Sequence, residues 1–210
     1  MILIYISDTL PQAWLLARPY DEKKFENIDF YNMVNCANGK WLKPTNDSEG
    51  YSIILATKGI EFENIIGNFA HEFQHCVDYI SSIKKYGENR ENMYCASFAH
   101  WSEFRAEYTR TRVNAYLNKN KLKNEEMAFE YFTGFLGYKT ADALAGLMRS
   151  DTADDKMYYI SRYMGCQRAV RNLSEIYSPH PVFQRWHLTP DFITDNYGYA
   201  FFISKILGEK

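Results

Sequence analysis

The stretch NFAHEFQHCVDYI, residues 68–80, decides how this chain is read. Its apolar residues do not alternate, as they would in a half-buried strand. Carried upstream to residue 60, the pattern puts Phe62, Ile66, Phe69, Phe73, Val77 and Ile80 at steps of four and three, which is the period of one helical face. Opposite that stripe runs a second line: Asn64, Asn68, His71, His75 and Asp78. Small or apolar residues (Ile65, Ala70, Cys76) flank it, so the helix is expected to be buried on most sides. Two imidazoles and a carboxylate buried on one helix are costly without a partner.

The spacing says what that partner is. His71 and His75 are four apart, so they lie on nearly the same face and about 6 Å apart along the axis. Two imidazoles so placed converge on one Zn²⁺ at about 2.0–2.1 Å each. Glu72 stands about a third of a turn round, beside the ion and not on it, where it can take a proton from a metal-activated water. The sequence therefore predicts His71 and His75 as metal ligands and Glu72 as general base. The competing reading is an accidental match inside an ordinary buried helix, and the burial cost of the three groups argues against it.

Outward from this helix, two short strands are expected before it, at 3–7 and 51–56. The run KPTNDSEG, residues 43–50, is turn material between them. Gly87 breaks the helical period after the motif, and a second helix is expected over 92–117. Further helices are read at 124–136, 141–149, 153–176 and 191–206, the last opened by Thr189-Pro190-Asp191. The fold class is α+β: a small N-terminal sheet with the motif helix, then a mostly helical C-terminal part. One domain is expected over 1–210, in two lobes at 1–86 and 87–210. The 51–56 strand, just before the motif helix, is expected to form the edge to which an extended peptide adds by main-chain hydrogen bonds.

Bulk properties exclude several alternatives. With 24 basic and 26 acidic residues the formal charge is −2, so there is no overall basic footprint and no nucleic-acid partner is expected. No apolar run reaches the roughly 20 residues that cross a bilayer, so no membrane span is expected. The opening MILIYISDTL lacks a basic leader and a small-residue cleavage site, so it reads as a buried strand and the location as cytoplasmic. The four cysteines, Cys36, Cys76, Cys95 and Cys166, form no C-x-x-C and are expected as free thiols in a reducing compartment.

A catalytic zinc takes three protein ligands and keeps one position open. The extended pattern HExxHxxGxxH requires Gly at 78 and His at 81, and the chain has Asp78 and Ser81. The stretch FAHWSEFRAEYTR, residues 98–110, offers Glu103 and Glu107 on one helical face, with His100 and Arg110 extending the same line. Glu22/Glu26 and Glu126/Glu130 share that spacing. The 103/107 pair stands apart because it lies on the next helix after the motif, among Phe98, Trp101, Phe104, Ala106 and Tyr108. Two buried carboxylates there need a positive partner. Spacing leaves open which of the two binds.

HEFQHCVD followed by EFRAE resembles the gluzincin class of zinc metallopeptidases, in the manner of lethal-factor-like and Pro-Pro endopeptidase catalytic domains. The resemblance covers these two helices only, and Gln74 stands where that group often has Gly. It implies a zincin-like fold and a zinc-dependent metalloendopeptidase acting on a protein or peptide substrate. By position it makes Glu103 the third ligand, and Glu107 the carboxylate that accepts the spare N–H of a ligating histidine. Asp78 is a second residue expected behind the ligands, or as a helix anchor. Such enzymes also stabilise an oxyanion with a Tyr or His, and His100, one turn before Glu103, is the first candidate. A weaker similarity is to intracellular metallopeptidases that cleave repressors, which usually have Asn where this chain has Glu107. A third expectation, from another class, is a catalytically silent zincin-like protein that binds or regulates a partner.

Overall fold

The computed structural model describes residues 1–35, 37–44, 50–86 and 96–177. The fold is α+β, a small three-stranded sheet and a mostly helical body. The chain contacts gather into two compact units, Met1–Cys76 and Val77 onward, and the boundary falls inside one helix, α3.

The first unit opens with β1 (Ile2–Ser7), α1 (Leu10–Ala17), a 3₁₀ segment (Pro19–Glu26) and α2 (Ile28–Asn35). Strands β2 (Gly39–Leu42) and β3 (Tyr51–Ala56) follow, and then α3 (Phe62–Tyr86) begins. The sheet order is β1-β3-β2. β1 runs parallel to β3 with Ile4 opposite Ile53, and β2 runs antiparallel to it with Trp41 opposite Ile53. A central strand must be apolar on both faces, which explains the unbroken run Ile53, Ile54, Leu55 and Ala56, all buried. One face is covered by α1 and α2: Leu10, Ala13, Trp14, Ala17 and Val34 pack on Leu42, Ile54 and Ala56. Phe30 meets the Trp14 ring edge-on at 5.2 Å, the geometry that ring quadrupoles favour. α1 starts where Gln12 accepts the Thr9 N–H at 3.1 Å, and Pro11 in its first turn wastes no donor.

Two expectations change here. The strands at 3–7 and 51–56 are present, but α1, α2 and β2 were not expected from the sequence. β3 is also not an edge strand, because β1 and β2 take both of its sides. Among the described residues the outer edges of the sheet belong to β1 and β2.

The second unit continues α3 and adds α4 (Ala96–Leu117), a 3₁₀ turn (Lys119–Leu122), α5 (Glu125–Arg149) and α6 (Ala153–Tyr177). α6 lies directly on α4: a Cβ at Gly165 would stand 2.1 Å from the Phe104 carbonyl oxygen, so only glycine permits this approach. Trp101, Phe104, Met157 and Met164 form one core of the unit, and Ala115, Leu122, Ala128, Phe132, Leu136, Cys166 and Val170 another. Caps set the helix starts. The Asn124 side chain accepts the Met127 N–H at 2.9 Å, and Thr152 Oγ1 accepts the Asp155 N–H at 3.0 Å.

α5 is one helix where the sequence suggests two, at 124–136 and 141–149. Across the gap between those spans the helix carries on: Lys139 is buried, and Thr140 Oγ1 donates to the Leu136 carbonyl at 2.8 Å. The helix expected at 191–206, and the break at Gly87, lie outside the described residues. Cys76 and Cys166 are free and buried, while Cys36 and Cys95 lie outside the described residues. Among the described residues no helix is long and apolar enough to cross a membrane.

Candidate metal centre

α3 is covered on most sides, as the sequence leads one to expect: over 65–80 only Phe73 is exposed. Of the apolar stripe Ile66, Phe69, Val77 and Ile80 are half-buried, while Phe62 and Phe73 are open at 67 % and 40 %. The polar line is the deeper side: Asn68, His71, His75 and Asp78 are buried, Asp78 at 1 %, and only its first member, Asn64, is exposed. The helix turns its hydrogen-bonding residues inward, which is stable only where each polar group is met by a partner.

The structure brings His71, His75 and Glu103 together. Each offers one ligand atom, and these atoms all lie within 4.8 Å of one another. The two histidine Nε2 atoms are 3.1 Å apart, with the rings nearly perpendicular at 80°. Four tetrahedral ligands about 2.0–2.1 Å from zinc stand roughly 3.3 Å from each other, so the imidazole pair is already at that spacing. Two imidazoles and one carboxylate are also the donor chemistry of catalytic zinc sites. The residues fit such an ion. Glu107 is not in this cluster, nor is His100.

Glu72 is half-buried and reaches back to the sheet, where its Oε2 accepts the Trp41 N–H at 2.9 Å. Asp78 anchors the second half of α3 to α4. Ser102 Oγ donates to its Oδ2 at 3.1 Å, Arg105 Nε stands 3.4 Å from its Oδ1, and the Arg105 guanidinium lies over the Trp101 ring at 5.0 Å. Ser102 and Arg105 bracket Glu103 in sequence. One buried carboxylate thus holds the turn of α4 that carries the third candidate ligand.

Glu107 is fully buried and shared among three cations. Lys139 of α5 pairs with its Oε1, and Arg110 and Arg162 stand 3.8 and 3.7 Å from its Oε2. Burial alone would lower the Arg162 pKa, but Glu107, with Tyr158, Glu103 and Asp142, holds it above the ordinary value. The Cys166 thiol beside this group is pushed up to about 12, by burial first and by the Glu107 charge second. Burial likewise raises the Cys76 thiol next to His75, so neither described cysteine is a ready thiolate. His100, buried on α4, has its Nε2 3.1 Å from Asp154 Oδ1 in the first turn of α6.

The sequence did not single out Gly39, Trp41, Ser102, Arg105, Lys139 or Arg162. For Arg105 a signal existed, since it follows Glu103 on a helix that needed positive partners. For Trp41 none did, because a main-chain N–H leaves no mark in a sequence. No protein-family model, no curated protein and no solved structure matches the chain, so the site is argued from its own geometry.

Proposed function

We propose that the chain is a zinc-dependent metalloendopeptidase of gluzincin type, with His71, His75 and Glu103 holding the ion and Glu72 as general base. One observation carries the reading: ligand atoms from two helices converge within 4.8 Å, beside a carboxylate that follows the first histidine. A bound Zn²⁺ would act as a Lewis acid, acidifying a water and polarising the scissile carbonyl. Glu72 takes the water's proton and delivers it to the leaving amine. His71 and His75 serve as neutral ligands, and Glu103 contributes one negative charge. Asp78 and Glu107 act behind them: Asp78 through Ser102 and Arg105, Glu107 by tying α4 to Lys139 of α5 and Arg162 of α6.

The silent, zinc-binding reading draws support from one contact. His100, the candidate for the oxyanion, has its Nε2 engaged by Asp154 and its Nδ1 buried, so neither ring nitrogen is presented to a substrate. Metal analysis and turnover on a peptide library, for wild type, Glu72→Gln and His75→Ala, decide between the two. The wild type is expected to hold one zinc per chain and to cleave. Glu72→Gln is expected to keep the zinc and lose turnover by on the order of 10²–10⁴, and His75→Ala to lose both. Undiminished cleavage by Glu72→Gln would sink the mechanism. A zinc-loaded wild type that cleaves nothing favours the silent reading.

A further inference from the structure

Glu72 does not stand alone on α3. Its Oε2 accepts the Trp41 N–H of β2 at 2.9 Å, an N–H that the ladder with β3 leaves over. Two residues earlier on the same strand face is Gly39. A Cβ there would stand 3.1 Å from Glu72 Cγ, 3.1 Å from Leu55 Cδ2 and 3.6 Å from Glu72 Oε1. The Glu72 side chain thus packs where a residue-39 side chain would be. A glutamate has three rotatable bonds, and a base that swings is a poor base, because proton transfer needs a fixed reach of about 2.6–3.2 Å. Here the strand touches the Glu72 methylene, and its amide ties one carboxylate oxygen. The other oxygen, Oε1, is left to take a proton.

We propose that Gly39 and the Trp41 main-chain N–H are the positioning elements for Glu72: the β2 edge fixes where this carboxylate stands beside His71. The inference rests on the reading of Glu72 as the base. The plain alternative is that Glu72 only caps the main-chain N–H of Trp41. The two differ in what a small displacement does. A cap tolerates it, whereas a misplacement on the order of 1 Å at a reacting group costs about 10²-fold in rate.

The test uses the full chain, ¹⁵N-labelled and loaded with Zn²⁺. Exchange and chemical shift of the Trp41 amide are followed in wild type, Glu72→Gln, Glu72→Ala, Gly39→Ala and Gly39→Val. Exchange at Trp41 is expected to quicken about tenfold or more in Glu72→Ala, which loses the acceptor, and to stay near wild type in Glu72→Gln, which keeps an oxygen. Gly39→Val is expected to shift the Trp41 amide as Glu72→Ala does. Zinc affinity, by competition with a chromophoric chelator, is expected to stay within about twofold in both glycine variants, since no ligand is touched. Peptide turnover is expected to fall in kcat with KM little changed, by about 10²-fold for Gly39→Val and less for Gly39→Ala. A Trp41 amide unmoved by both Glu72→Ala and Gly39→Val overturns the proposal. So does a Gly39→Val protein that loses zinc affinity as steeply as turnover. Gly39→Ala serves the same comparison where valine prevents folding, and the Glu72 variants leave the strand untouched. A wild type that binds zinc yet cleaves nothing removes the peptidase reading and the positioning with it, whereas turnover undiminished in Gly39→Val beside a cleaving wild type overturns the positioning alone.

Discussion

The inward face of α3 and the Glu107 network both bury ionisable groups, and they answer the burial in opposite ways. Glu107 is surrounded by Lys139, Arg110 and Arg162, so its charge is neutralised by the chain itself. At His71, His75 and Glu103 the groups brought together are lone-pair donors facing one another. Acceptors that converge at ligand spacing suit a cation from outside the chain. The two carboxylates concerned sit four apart on α4, so sequence position hardly separates them. Their surroundings separate them: Glu107 pairs with Lys139, Arg110 and Arg162, whereas Glu103 clusters with two imidazole nitrogens.

The largest effect that could break this comparison is on zinc. His71→Ala and His75→Ala are each expected to weaken zinc by more than about 100-fold, and Glu107→Gln by less than about tenfold. Stability should run the other way. With Glu107 neutral, Lys139 and two arginines keep a buried charge unanswered, at a cost of about 3–5 kcal/mol in urea unfolding. Zinc at 1,000 times the wild-type Kd should stabilise wild type by about 4 kcal/mol, and the histidine variants by less than about 1.5 kcal/mol. Loss of zinc in Glu107→Gln as complete as in His75→Ala would move Glu107 into the ligand set.

A smaller effect sharpens the contrast at Asp78. Asp78→Ala leaves Ser102 and Arg105 without their acceptor and should cost about 1–3 kcal/mol. It should also weaken zinc by about 10–100-fold, because the α4 turn carrying Glu103 loses its tie. Unchanged zinc affinity in a measurably destabilised Asp78→Ala would make Asp78 an anchor of the fold alone.

How far the sequence carried this site follows from what each residue had to signal. His71, Glu72 and His75 are legible because ligand geometry dictates spacing on a helix. Glu103 is legible as one of a pair, and only the fold separates it from Glu107. The burial of α3 is legible too, and what periodicity does not rank is its two faces: the polar line, held by specific contacts, lies deeper than the apolar stripe. α1 and α2 are eight residues each, about two helical turns and shorter than the stretch of about 11–18 residues over which an apolar period stands out. β2 has four residues, one of them the glycine that Glu72 requires, and glycine argues against a strand in any local reading.

The smallest effect is silent at neutral pH and tests the Glu107 side of the comparison through Cys166. Burial and the Glu107 charge raise this thiol from 9.0 to about 12, while Lys139, a Thr111 hydrogen bond and Arg110 pull it the other way. In the unfolded chain the thiol ionises near its ordinary value. Between 9.0 and about 12 the unfolded state therefore binds fewer protons than the native one, and stability falls as pH rises. Below that window the contribution is fully present. Cys166→Ala should flatten the stability profile there, seen as a smaller loss in denaturation midpoint from pH 9 upward than wild type shows. Native Cys166 should also resist iodoacetamide at pH 9, where a free cysteine reacts readily as thiolate. Glu107→Gln removes the negative charge next to the thiol, so its alkylation should quicken. If Cys166 in the folded wild type reacts as fast as a free thiol, the network around Glu107 is open to solvent. The contrast between a carboxylate neutralised by its own chain and a cluster suited to a metal would then have lost one of its two sides.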